Sequence, residues 1–150
     1  GSDGAVDQIR DAIAESGDTE FGADLLRTRF DQFVLESRTI VPGAGDALRD
    51  GDLTRFGALV DRSQEAAGAW LGNQVPETVF LAREARRLGA AAASAFGAGF
   101  GGSVWAMVAG DASGEFIREW RLAYERAHPE AAARAVFFET SPGPAALRVG

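Results

Sequence analysis

The sequence predicts an α+β domain, a small and mainly antiparallel sheet backed by helices. Apolar residues recur every three or four positions as far as Gly89, the spacing of amphipathic helices. After Gly89 the chain is small and apolar over 90–96, then β-branched and aromatic over 103–109, which reads as two strands. Between them, Gly97-Ala98-Gly99-Phe100-Gly101-Gly102 concentrates glycines where each costs conformational entropy, so the backbone there must need their freedom.

Taken in order, Val6, Ile9 and Ile13 sit at helical spacing within 4–15, and Ser16-Gly17-Asp18 ends that helix. A longer helix starts at Phe21 and carries Leu26, Phe30, Phe33, Ser37 and Ile40 on one face. Pro42-Gly43-Ala44-Gly45 is expected to break or kink it before a turn at Ala47–Arg49. Gly51 is a stop and Asp52 an N-cap for a helix bearing Leu53, Phe56, Leu59/Val60, Ser63, Ala67 and Trp70. Gly72-Asn73-Gln74 ends it, and Pro76-Glu77 opens the next, with proline and an acid in the first turn. That helix runs through Val79, Ala82 and Ala85 to Arg86-Arg87-Leu88-Gly89, arginines followed by a terminal glycine. Ala112–Ala127 is helical, with Phe116/Ile117, Trp120 and Tyr124 on one face. Arg134–Thr140 and Ala145–Val149 read as two closing strands around Ser141-Pro142-Gly143-Pro144. The order is helices first, then β-turn-β-α-β-β.

With 150 residues and 46% hydrophobic side chains, the chain suits one domain with its own core. It has no cysteine, which removes disulfides, thiolate zinc sites and cysteine nucleophiles and fits a cytoplasmic setting. All 15 basic residues are arginine, so a P-loop lysine, a Schiff-base lysine and a lysine general base are excluded. The net charge of −7 resides in residues 1–75, with 14 acids against 7 arginines, while 76–150 balance at 8 and 8. An acidic chain without a basic stripe suits neither nucleic acid nor an anionic membrane. No run reaches the roughly 18 apolar residues of a membrane span, and no secretory signal is visible. Gly1-Ser2 reads as a cloning scar.

The glycine stretch is not a dinucleotide fingerprint, because its third glycine is misplaced and no strand–turn–helix context follows. Two readings stand: a tight connection between strands, or a backbone surface that a phosphate or a neighbouring loop can approach. Spacing alone does not separate them. His128, the only histidine, precedes Pro129 at a helix end and reads as a surface or capping residue. Asp46, Asp50 and Asp52 lack calcium-loop spacing and read as capping and solvated groups. Trp70, Trp105 and Trp120 lie on apolar faces and read as core. Arg83, Arg86 and Arg87 read as a solvated helix end. No acid, base or metal ligand is singled out.

Several segments together resemble the C-terminal lobe of the GHMP small-molecule kinases, in particular the galactokinases. Arg29-Phe30 through Glu36-Ser37 is similar to that family's helix carrying an arginine and a glutamate. Ala47-Leu48-Arg49-Asp50-Gly51-Asp52, followed by Phe56-Gly57-Ala58-Leu59-Val60, resembles its "AL..GD...FG.LM" segment. Ser63 stands at its "S-H" position, and Val75-Pro76-Glu77-Thr78 resembles its "(V/S)xPE" helix start. Gly97-Ala98-Gly99-Phe100-Gly101-Gly102 matches its third, glycine-rich motif, and Phe137-Phe138 with Ser141-Pro142-Gly143-Pro144-Ala145 its closing strand pair. The departures are Gln64 for the usual histidine, Ser94 and Phe96 where arginine and threonine commonly stand, and Ser103 for a common cysteine.

The resemblance implies a ferredoxin-like α+β lobe over residues 3–150. It implies that an N-terminal lobe holds the serine-rich nucleotide loop and the catalytic aspartate and arginine; none of these is in the sequence. The expected parent is a cytoplasmic, ATP- and Mg2+-dependent sugar kinase, most specifically one converting galactose to galactose 1-phosphate. Expected partners are the missing lobe and a small-molecule sugar. The chain alone is expected to bind no cofactor and to be inactive. Its contribution is the motif Gly97, Ala98, Gly99, Phe100, Gly101, Gly102 and Ser103, forming one wall of the cleft. The alternative is a non-catalytic sugar-binding regulator or an interaction module derived from such a kinase.

Overall fold

In a computed structural model, residues 2–17 and 20–143 are described. Helix α1 (Ser2–Glu15) buries Val6 and is tied to α2 (Ala23–Leu35) by Arg10, whose Nε donates to Asp31 Oδ1 at 2.9 Å. Of the break or kink expected at Pro42-Gly43-Ala44-Gly45, no break occurs, and Ala47–Arg49 is helix rather than a turn. A π turn (Glu36–Ile40) leads straight into α3 (Val41–Asp50), with Pro42 as its second residue. A proline has no N–H and its ring crowds the preceding turn. The wider π turn accommodates this, the Val41 N–H reaching back to the Glu36 carbonyl. The same turn explains why one helical period fails across it: Ile40 is buried, whereas Phe33 and Ser37, assigned to the same face, are exposed.

Helix α3 ends where Gly51 is left-handed, at φ 71°; its N–H and that of Asp52 bond back to the Leu48 and Ala47 carbonyls. Asp52 Oδ1 then accepts from the Arg55 N–H at 2.9 Å and caps α4 (Leu53–Ala66). A second π turn (Ala67–Leu71) closes at Gly72, φ 61°. Helix α5 (Pro76–Arg87) starts on the proline and stops at Gly89, φ 98°, with the same pair of return bonds. These stops fall where the sequence placed them. Within α5, however, Thr78 is buried and Val79 exposed.

Strands β1 (Ala92–Phe96) and β2 (Ser103–Met107) pair antiparallel, with Ala92 opposite Met107 and Phe96 opposite Ser103. They are shorter at their outer ends than the sequence pattern. Both faces of this hairpin are covered, which is why β1 is built of alanines rather than alternating types. Ala93 and Ala106 pack with Ala85, Phe116 and Trp120 of α5 and α6 (Ser113–Ala127). Ala92, Trp105 and Met107 face Ala47, Phe56 and Val60 of α3 and α4. Trp105 and Trp120 therefore belong to the core, but Trp70 is 39% exposed.

The closing strand expected at Arg134–Thr140 is not a strand among the described residues. After the short helix α7 (Pro129–Ala132) and its turn the chain is irregular as far as residue 143. Its apolar alternation is satisfied by a helix: the Phe137 ring lies 5.3 Å from Trp120 and 6.1 Å from Tyr124, and Arg121 stacks on it. The partner strand expected at Ala145–Val149 lies outside the described residues. The α+β class holds, on a two-stranded sheet among the described residues. Among these residues, no helix is long and apolar enough to cross a membrane.

Candidate functional site

The β1–β2 connection brings all seven candidate residues together as one loop and the start of β2. Gly97, Gly99, Gly101 and Gly102 have φ of 91°, 87°, 110° and 102°. Phe100, at φ 61°, is the non-glycine residue with positive φ among the described residues, and it is 73% exposed. A Cβ at Gly97, Gly101 or Gly102 would meet open space, so backbone conformation alone demands glycine there. Gly99 is different. A Cβ on it would lie 2.4 Å from the Asn73 carbonyl oxygen.

Asn73 lies in the α4–α5 connection and holds the loop at two points. Its carbonyl accepts from the Phe100 N–H, and its Nδ2 donates to the Ala98 carbonyl at 3.2 Å. The neighbouring-loop reading of the glycines is thus realised at Gly99. Ser103 is exposed and pairs with Phe96. The loop has no ionisable side chain, so it offers backbone amides and close approach, and no acid–base chemistry.

Gln64 and Ser94, separate departures in the sequence, touch each other here. Ser94 Oγ and the Ala95 N–H both donate to Gln64 Oε1 at 2.9 Å. Gln64 Nε2 donates to Gln74 Oε1 at 3.1 Å, and Gln74 Nε2 to Asn73 Oδ1 at 3.0 Å. Next to it in α4, Ser63 Oγ donates to Glu36 at 2.5 Å. Asn73 and Gln74 were legible in the sequence only as a helix stop; a polar pair immediately after a terminal glycine was the available signal.

The other candidates are structural. Arg86 is not a solvated helix end: it makes a two-toothed ion pair with Asp61 at 2.9 Å. Its Nη1 also donates to the carbonyls of Ala90 and Ala91. Arg87 pairs with Glu84 at 2.6 Å and holds that carboxyl below its usual range, and Arg83 lies over Phe80. His128 is half-buried against Phe80 and Tyr124, at 5.1 and 5.4 Å between rings. Asp46 pairs with Arg49 at 2.7 Å. Among the described residues, no three His, Asp or Glu side chains are arranged to hold a metal ion.

Residues 46–126, the span from α3 to the end of α6, match the family described as GHMP kinases C terminal. The chain belongs to the GHMP kinases. More specifically, it is the C-terminal domain of a galactokinase-like member. Its fold is similar to that of Lactococcus lactis galactokinase, solved in complex with galactose, with a TM-score of 0.64 and 30% sequence identity. The likeness covers 74% of this chain and 27% of that galactokinase, so this GHMP kinase chain spans about a quarter of its relative. No curated protein matches the sequence. The GHMP kinase match contains the glycine loop, Asn73 and the Arg86–Asp61 clamp.

Proposed function

We propose that this domain, over residues 3–150, is the C-terminal lobe of an ATP-dependent sugar kinase that phosphorylates galactose to galactose 1-phosphate. The observation that carries this is the 30% identity and shared fold with a galactokinase solved with galactose bound. In this reading the Gly97–Gly102 backbone and Ser103 form one wall of the cleft between two lobes. Phosphoryl transfer depends on positioning and on charge stabilisation around phosphates and metal. The loop supplies neither a cation for a triphosphate nor ligands for Mg2+, so those groups belong to an N-terminal lobe, the partner of this one. When bound in the whole enzyme, MgATP supplies the phosphoryl group; this chain's loop limits the shape of the space beside it.

The test is to assay the full-length parent with ATP and Mg2+ against a panel of sugars. Phosphorylation of galactose is expected. Phosphorylation of another sugar alone overturns the specificity, and none at all favours the sugar-binding regulator. This chain by itself is expected to turn over no ATP; robust turnover overturns the division of labour between lobes.

A further inference from the structure

We propose that Gln64, Gln74 and Asn73 form a directional amide relay that positions the glycine loop from α4, although Gln64 does not touch the loop. Gln64 Oε1 accepts from both Ser94 Oγ and the Ala95 N–H, at 2.9 Å each, so that end of the amide is fixed as the acceptor. Its Nε2 is thereby aimed at Gln74 Oε1, 3.1 Å away. That donor fixes Gln74 Oε1 as an acceptor. Thr78 Oγ1, on a buried residue, lies 3.0 Å from the same oxygen and, as a hydroxyl with the Val75 carbonyl also 3.0 Å away, suits either orientation. Gln74 Nε2 then donates to Asn73 Oδ1 at 3.0 Å, leaving Asn73 Nδ2 for the Ala98 carbonyl. Reversing any one amide sets donor against donor or acceptor against acceptor along the chain. Such chains polarise their members and act as a unit.

The loop needs such an anchor. Five of its six residues have positive φ, and a glycine backbone left free samples many other conformations. Two bonds from Asn73, one to Ala98 and one from Phe100, select the observed one. Gln64, Gln74 and Asn73 are positioning residues in this scheme; none is placed to react.

Native-state amide exchange on the 150-residue chain tests the relay, with Gln64→Glu and Gln64→Leu as variants. A carboxylate at 64 still accepts from Ser94 and Ala95 but demands a donor from Gln74. That reverses Gln74, then Asn73, and ends with Asn73 Oδ1 facing the Ala98 carbonyl. The expected result for Gln64→Glu is an Ala95 amide as protected as before and a Phe100 amide exchanging roughly five- to tenfold faster, the worth of one hydrogen bond. Gln64→Leu is expected to release both. Rates are read relative to the Ala91 amide, bonded to Met107 in the core hairpin, so that a general loss of stability cancels. Unchanged relative exchange at Phe100 in both variants overturns the proposal, as does equal acceleration of Ala95 and Phe100 in Gln64→Glu. In the full-length parent, Gln64→Glu is expected to lower kcat/KM by about tenfold or more, as displaced positioning groups do. That second consequence rests on the kinase reading. Altered exchange with unaltered kinetics leaves the relay standing and removes the loop from the reaction.

Discussion

Gly97 and Gly99 look alike in the sequence and differ in what they tolerate. Gly97 has φ 91° and open space where a side chain would go, whereas a Cβ at Gly99 lands 2.4 Å from the Asn73 carbonyl oxygen. Gly97→Ala is expected to cost about 1–2 kcal/mol, the left-handed penalty alone. Gly99→Ala should cost more, because one of two backbones must also move; urea midpoints of the two variants measure the difference. Tyr124 offers a sharper residue-level test. Burial raises its phenol above the usual 10.0, with Glu77 adding to the effect and Arg134 opposing it. A raised value means that its contribution is whole below the unfolded pKa and is lost as pH climbs through the folded one. The chain has no lysine, no cysteine and one tyrosine, so this phenol dominates the alkaline titration of the side chains. Denaturant midpoints should therefore fall above about pH 10 in the native chain and hold level in Tyr124→Phe. A similar fall in both would show that burial of the phenol is not the cause.

Among elements, the Arg86–Asp61 clamp binds α5 to α4 and to the chain entering β1. It closes over Gly57, where a Cβ would sit 2.1 Å from the Ala91 carbonyl oxygen. Arg86→Met is expected to destabilise by roughly 1.5–3 kcal/mol, the range for hydrogen bonds to a charged group. Arg86→Lys should recover only part of this, since one ammonium cannot reproduce the planar fork; thermal melts of both variants check it. The clamp was invisible in the sequence because Asp61 and Arg86 are separated by a helix and a turn, and each alone looks like a surface charge. Helix stops were legible, since Gly51, Gly72 and Gly89 act through their own φ and through bonds to nearby carbonyls. The glycine motif was legible for the same local reason. Its anchor at Asn73 was not, because that contact exists only after α4, α5 and the hairpin have packed. Phe137 misled for a related cause: alternation shows which residues are buried, and Trp120 and Tyr124 of α6 do the burying here.

For the whole molecule, the thin hairpin is the shared wall of two cores. Ala92 belongs to the cluster with Phe56 and Val60, and its neighbour Ala93 to the cluster with Phe116 and Trp120. Neither cluster keeps its boundary if the hairpin leaves, so the two should melt together. Trp105 reports on one and Trp120 on the other. In a Trp70→Phe background, denaturation curves of Trp105→Phe and Trp120→Phe, each followed by the fluorescence of the one remaining tryptophan and by circular dichroism, should show coincident probes within each variant. Separate transitions would mean two independent units. The π turn at Glu36–Ile40 has a consequence at this scale. The helical run from Ala23 to Asp50 serves α1 through Asp31 in its first half and α4 through Ala47 near its end. The turn absorbs one extra residue, so the sequence spacing slips while the two docking faces keep their relation. Removing one residue within 36–40 would restore an even pitch and leave the two halves nearly in their present relation, because about five residues of a π turn rotate the chain as far as four of an α-helix. Deleting one residue there should therefore be far milder than deleting two, which turns one half by about 100° against the other; thermal melts of the two deletions check it.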